Sequence, residues 1–392
     1  MSQFFRIIGN KNIQLLILYG WLRSIPLMGS GLFAFYVLSF LSAPPRILGF
    51  IISVGFLASA IGSIFGGYLT DRLGRKYTFI ISSLSAGSGW IALSLSRDWM
   101  QVALSYGLMN GMMACAPPAY YAVISDSVPN DVGGGLGIVN SATSIVMSIG
   151  AVLGATTARY LGFELLFGII SFPWFLSAYV VLGIQEQKLE GTRKPVGWAR
   201  LNPFRVVGEN LGLLILSLSV FFVTLGGYAA SFYPDYVKKA FNVDPLQMGI
   251  FDSIYSATWA VTNYPMGLLS DKVGRKKVIF SGYTLMGVAW LLFPIPTSLI
   301  WLFLLYAAYS LGNSMGFFTT ALAMDIASER KKGSAVGMFN CFMYIGVFLS
   351  GITGGILWED LGPLASFRIS FIALIAAALI ITFLVKSKEE NS

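Results

Sequence analysis

The sequence predicts an all-α membrane protein: twelve transmembrane helices in two pseudo-symmetric six-helix bundles, with both termini cytoplasmic. Three observations carry the prediction. Only 11% of the 392 residues are charged and 56% are hydrophobic, whereas a soluble domain is about a quarter charged. Apolar runs of about 18 residues or more, long enough to cross a bilayer, recur along the whole chain. A compact charged motif also occurs twice, as GYLTDRLGRK from Gly67 and GLLSDKVGRK from Gly267, half a chain apart.

The apolar runs divide into spans at about 13–40, 47–66, 78–96, 100–124, 136–158 and 164–184. Six more follow at about 210–233, 246–267, 278–296, 298–324, 335–356 and 367–385. The N-terminal bundle is thus 1–184 and the C-terminal bundle 210–392, joined by a polar connector, 185–209. The connector's composition suits a cytoplasmic or surface-lying piece. The first apolar run is too long for a signal peptide and lacks a small-residue cleavage site, so it reads as a retained span.

Charge sets the orientation. With the amino terminus inside, nineteen of the 26 Lys and Arg residues fall on cytoplasmic segments and six outside, with Arg23 left within a span. This asymmetry follows the positive-inside rule. The net charge of +8 therefore reads as multi-pass topology in a cell membrane and contact with anionic lipid heads. Nucleic acid is not an expected partner. There is no histidine, and the two cysteines lie in apolar runs, so a metal site of the usual kind and a disulfide framework are not expected. No cofactor is expected, and no catalytic cluster suggests an enzyme.

The halves match beyond the opening motif. GIVN ends at Asn140 and GMFN at Asn340, and Asp126 and Asp325 precede them. Six spans per half give the repeats the same orientation, a transporter plan with the substrate site between bundles near the midplane. Within each motif, Gly74 and Gly274 suit a tight turn. Gly67 and Gly267 would allow close helix approach, and Asp71 and Asp271 suit helix caps.

These residues carry a resemblance. Gly67-x-Leu69-x-Asp71-Arg72-x-Gly74-Arg75-Lys76 resembles the signature loop between helices 2 and 3 of the major facilitator superfamily. Gly267-x-Leu269-x-Asp271-Lys272-x-Gly274-Arg275-Lys276 is similar to its echo between helices 8 and 9. The resemblance implies a secondary transporter that alternates access, in which these loops gate the cytoplasmic side. It also implies partners for the loops within each half: Asp126 for Arg75, and Asp325 or Glu329 for Arg275.

Candidate substrate or coupling residues are the polar and aromatic side chains inside spans. Arg23 lies about half way along span 1, where a guanidinium is expensive and functional by default. Tyr19 shares its helical face and Trp21 lies near. Span 4 adds Asn110 and Tyr121 beside a Pro117–Pro118 kink, span 5 Asn140, and span 7 Tyr228. In span 8, Asp252, Tyr255, Trp259 and Asn263 follow helical spacing along one face. Asn313, Asn340 and Tyr344 complete the set. Asp252 is the one acidic residue read as internal, a candidate proton carrier and a candidate partner for Arg23.

The expected function is transport of a small organic solute, with Arg23 pointing to an anionic group. Proton-driven drug efflux and an uncoupled facilitator are the alternatives. Drug antiporters of the superfamily resemble a pattern with a buried arginine where Gly107 stands here, and SIGAVLGATTARYLGF has no Gly-Pro. The sugar-porter stretch after span 6 is absent from GIQEQKLEG. A single chain is expected to function as a monomer, with lipids, substrate and protons as partners.

Overall fold

A computed structural model describes residues 2–25, 30–129, 132–185, 211–326 and 332–385, all of it helix and short connections. In chain order the helices are α1 (Ser2–Ile8), α2 (Lys11–Ser24), α3 (Ser30–Phe35, continued by a π-helical run Tyr36–Phe40), α4 (Pro45–Leu73) and α5 (Arg75–Leu95). Then come α6 (Trp99–Met113), α7 (Ala116–Ser127), α8 (Val132–Leu161) and α9 (Phe163–Val181). The second half holds α10 (Leu211–Gly226), α11 (Ala229–Phe241), α12 (Pro245–Val273), α13 (Arg275–Leu292), α14 (Leu299–Gly316), α15 (Thr319–Ile326) and α16 (Lys332–Leu384). The last is two helices joined at Gly362, whose φ of 79° only glycine adopts without strain.

Local chemistry sets the boundaries. The Asn10 side chain accepts from the Asn12 and Ile13 amides to start α2, and Asp98 does the same for α6. Asp244 and Gln247 exchange side-chain to backbone bonds at 2.9 and 3.0 Å, a reciprocal cap before Pro245 begins α12. The two signature glycines terminate α4 and α12 at φ of 94° and 99°.

Two compact units make up the chain. The first comprises Met1–Ala43, Val54–Pro195 and Val243–Ala260, and the second Pro44–Ser53, Val196–Asn242 and Val261–Ser392. The beginnings of α4 and α12 thus belong to the unit opposite their sequence half.

In lipid, apolar side chains gain little by leaving the solvent, so helices associate through close fit and small residues. In the first unit Gly62 faces the backbone of Gly111, and Gly66 that of Cys115. In the second, Gly282 and Gly312 face each other. The expectation for Gly67 and Gly267 was misplaced: a Cβ at Gly67 would meet nothing within 4 Å, and one at Gly267 only the Phe318 ring at 3.6 Å. Close approach occurs at Gly62 and Gly66, where α4 faces α6 and the start of α7.

The repeat reappears in side-chain geometry. Tyr36 meets Phe167 edge-on at 5.0 Å, and Tyr236 meets Phe367 edge-on at 5.5 Å. Trp90 packs on Phe167 and Trp290 on Phe367. Gly162 and Gly362 both turn with positive φ. Gly249 lies against Ala151 and Ala155, and Gly49 against Gly351 and Gly355.

Among the described residues, seven helices are long and apolar enough to cross a membrane, so the chain is a multi-spanning all-α membrane protein. Predicted spans 1, 4, 8 and 9 are absent from the seven for physical reasons. The helical path of span 1 stops at Ser24, where Ile25 is extended. Span 4 is divided between α6 and α7. Span 8 lies in α12, which carries Asp252 and Asn263, and span 9 lies in α13, an 18-residue helix that starts with three basic residues. The Pro117–Pro118 pair does not kink a continuous helix, as expected above. It occupies the first turn of α7, where no intrahelical N–H is needed.

Candidate functional site

The first unit holds a partly open cavity of about 460 Å³ lined by residues of α2, α3, α5, α6, α7, α8 and α9. Phe33, Trp90, Tyr106, Tyr120, Tyr121 and Trp174 form its aromatic walls, with Met109, Met113, Met147 and Ile170 between them. Tyr19, Gly20, Arg23, Ser24, Asn110, Ala116, Pro117, Asn140 and Thr143 complete the lining. Arg23 is the one ionised group among these residues, and none is acidic.

Arg23 is the penultimate residue of α2. Its guanidinium carbon lies 4.1 Å from the centre of the Trp174 ring and 4.9 Å from that of Tyr19. A cation against an indole face gains on the order of 0.5–2 kcal/mol, more where water is excluded. Nη1 donates to the Tyr19 hydroxyl at 2.9 Å. Nε is buried and has no acceptor among the described residues, and no carboxylate there forms an ion pair with this arginine. A charge withdrawn from water ordinarily has such a partner; among the described residues this half-buried one is held by aromatic faces and a phenol.

Five of the predicted substrate residues line this cavity together: Arg23, Tyr19, Asn110, Tyr121 and Asn140. Asn140 Oδ1 accepts from the Tyr120 hydroxyl at 3.0 Å, which leaves the Asn140 amide N–H₂ to donate. Asn110 turns its own amide back onto the Tyr106 carbonyl one turn earlier, at 2.9 Å. Trp21 does not join them. Its ring is 40% exposed and its N–H donates to the Ala142 carbonyl at 3.0 Å, tethering α2 to α8. Two positions along a helix separate Trp21 from Arg23 by about 200°, which explains the miss.

Asp252 is 5% exposed, and its two oxygens accept the Gly31 amide at 3.1 Å and the Leu32 amide at 2.9 Å. It therefore caps the helical path where it resumes after Arg23, and does not pair with the arginine as suggested from the sequence. Nor is it the sole buried carboxylate. Asp235 is 7% exposed within α11, bonded to the Trp358 indole and to Lys239, each at 2.9 Å. The helix continues past the predicted end of span 7, which is why Asp235 is enclosed.

Tyr255 and Trp259 stack at 6.4 Å in the first unit, while Asn263 falls in the second. Tyr228 is buried in the second unit and donates to the Ser366 carbonyl at 3.0 Å. Asn313, Asn340 and Tyr344 are half-buried there.

In the signature loops, Arg75 forms an ion pair with Asp126 and also donates to the Ala122 carbonyl at 3.1 Å. Arg275 Nε lies 2.8 Å from Asp325. Arg72 bonds the Tyr68 hydroxyl on its own helix. The Asp71 and Asp271 side chains, and Glu329 altogether, lie outside the described residues.

Sequence reasoning missed Trp174, Trp90, Phe33, Tyr106 and the three methionines. Tyr106 and Trp90 were findable, since Tyr306 and Trp290 echo them in the same half-chain frame. Trp174 carried one local signal, its place just after Pro173 inside α9.

Two helical units that repeat one another's side-chain geometry, one holding an aromatic cavity lined by a cation with no carboxylate partner among the described residues, have the plan of a membrane transport protein. The sequence profile of the Major Facilitator Superfamily matches residues 16–230 and again 214–392. The chain belongs to this superfamily of secondary transporters. It is 26% identical over 339 residues to the uncharacterized MFS-type transporter MJ1317 of Methanocaldococcus jannaschii, covering 81% of each chain. It is 28% identical over 242 residues to the multidrug resistance protein MdtG of Escherichia coli (strain K12 / DH10B), covering 59% of this chain and 58% of that one. In structure it is similar to the nucleoside transporter NupG, with a TM-score of 0.77 at 14% identity over 95% of this chain and 99% of that one. It is also similar to the peptide transporter POT solved with sulfate, with a TM-score of 0.72 at 16% identity over 97% of this chain and 94% of that one. At these identities the structural likeness is one of fold.

Proposed function

We propose that the protein moves a small organic anion across the cell membrane by alternating access, with Arg23 as the anion's anchor. In this reading the chain has twelve spans in two bundles, 1–184 and 210–392, and both termini are cytoplasmic. One observation carries it: the Arg23 guanidinium lines the cavity stacked on Trp174, with no carboxylate neutralising it among the described residues. A charge left in this condition is stabilised when an oppositely charged ligand arrives. Arg75 with Asp126 and Arg275 with Asp325 serve as gating pairs. Coupling to protons would fall to Asp252, whose carboxylate holds the resumption of the helical path next to Arg23.

Proteoliposome uptake tests the reading. Wild-type protein should transport organic anions and lose that transport in Arg23→Gln, and an imposed pH gradient should alter accumulation only while Asp252 is intact. Anion transport unchanged by Arg23→Gln would overturn the anchor.

A second reading, efflux of amphipathic compounds, has one specific support: the cavity's aromatic rings and methionines form an adaptable apolar surface. MdtG's name is consistent with it. The lone cation opposes cationic cargo. A Cβ built at Gly107 would lie 2.9 Å from Val54, so this position has no room for the arginine of the drug-antiporter pattern. Cationic dye export that is insensitive to Arg23 would favour this reading.

A further inference from the structure

Resting on the anion reading, we infer that the cavity selects monocarboxylates with an apolar body, through a two-donor clamp made by Arg23 and Tyr19. The argument begins with hydrogen-bond direction. A guanidinium only donates, so the Tyr19 oxygen spends a lone pair on Arg23 Nη1 at 2.9 Å. The phenolic O–H proton therefore points elsewhere, and among the described residues it has no acceptor. Tyr19 is 1% exposed and lies at the cavity lining together with Arg23. The cavity thus presents a phenol O–H beside the remaining Nη N–H groups, donors that carry one positive charge between them.

This arrangement matches a carboxylate, which has two oxygens and one negative charge. Of the guanidinium's five N–H groups, one is spent on Tyr19 and Nε is buried, so three Nη N–H groups remain, all carrying the same single charge. One face rests on Trp174, and Nε is sealed from the cavity's interior. A phosphate, a phosphonate dianion or a dicarboxylate would bring a second negative charge into a site with no second cation. An uncompensated charge in a site of low dielectric is strongly disfavoured.

The remaining walls describe the rest of the ligand. Phe33 and Tyr106 stack at 4.3 Å with their planes 12° apart, a paired aromatic block in the wall. Met109, Met113 and Met147 supply deformable apolar surface. The Asn140 amide is a neutral donor suited to a carbonyl or hydroxyl oxygen on the ligand body. A polyhydroxylated body would leave most of its hydroxyls without partners against these walls.

The test uses the full-length protein in detergent, with ligand-induced shifts in thermal unfolding and tryptophan fluorescence as readouts. The probes are 4-phenylbutyrate, decanoate, 4-phenylbutyramide, phenylphosphonate and phenylsuccinate. The two monocarboxylates should bind, and the amide, phosphonate and dicarboxylate should each bind about tenfold more weakly or worse, the loss expected for one charge-assisted hydrogen bond or one uncompensated charge. Tyr19→Phe keeps the ring and should weaken the monocarboxylates about tenfold and the amide, a neutral acceptor, by less.

Equal binding of phenylsuccinate and 4-phenylbutyrate, both lost in Arg23→Gln, would sink the monocarboxylate clamp and leave the arginine anchor standing. Anion binding untouched by Arg23→Gln would sink the anchor itself. Failure of both monocarboxylates to bind at millimolar concentration also overturns the clamp. Unliganded melting temperatures of the variants report whether each has folded.

Discussion

The substitution Asp252→Asn should loosen the helical path beside Arg23 and destabilise the first unit by about 2 kcal/mol. The magnitude follows from the donors to be served. Asp252 accepts two backbone amides, at 3.1 and 2.9 Å, in a site 5% exposed. An asparagine side chain in its place would offer one acceptor oxygen and one N–H₂, so one of the two amides would face another donor. Losing a bond to a charged group removes about 1.5–3 kcal/mol, and a buried orphan N–H adds about 1–3 kcal/mol. Relief of the buried charge's own desolvation offsets part of this. Backbone amides at the start of a helical run in lipid have no water to fall back on, which keeps the net cost from vanishing. Equilibrium unfolding in mixed micelles measures it. Ser256→Ala is the control, since it removes only a bond to the Asp252 carbonyl one turn back at 3.0 Å. If Asp252→Asn unfolds within about 0.5 kcal/mol of wild type, the capping argument is wrong.

The two signature-loop ion pairs should differ in worth. Arg75 is 13% exposed and Asp126 30%, against 29% and 48% for Arg275 and Asp325, so Asp126→Asn should destabilise by about 2 kcal/mol and Asp325→Asn by about 1 kcal/mol or less. Equal melting temperatures would contradict this. Small-residue contacts give a sharper contrast: Gly62→Ala drives a Cβ into the Gly111 backbone and should unfold the protein or cut its yield, whereas Gly67→Ala meets open space and should be neutral. Finally, the Ser148 and Ser253 hydroxyls lie 3.0 Å apart, so Ser148→Cys with Ser253→Cys should cross-link on oxidation. Transport should stop with the cross-link and return with reductant; transport that survives full cross-linking would mean that α8 and the start of α12 need not separate.

Much of the fold was legible because a bilayer restricts the options. Long apolar runs have to become helices, and Gly74 and Gly274 both end theirs as their place in the motif required. The breaks at Ser24 and Met113 were harder, because composition does not distinguish a continuous span from two short helices. Arg23 and Tyr19 were readable as neighbours from helical spacing alone. Trp174, which carries the arginine's other face, lies 151 positions away (23 to 174) and left only a proline as a sign. Asp252 was recognised as important but matched to the wrong partner. Its acceptor role serves backbone amides, which every residue but proline has, so no side-chain pattern could announce them.

At the beginning of α4, Arg46 meets Glu359 and Asp360 of α16. At the beginning of α12 the polarity is exchanged, with Asp244 meeting Arg159 of α8 at 2.8 Å. These exposed pairs add little stability individually, but they distinguish self from other. Two copies of the N-terminal half, docked in the same way, would set Arg46 against Arg159. Two copies of the C-terminal half would set Asp244 against Glu359. Only the mixed pairing satisfies both ends, so a chain that descends from a repeated unit carries a built-in bar against either half assembling with its own kind.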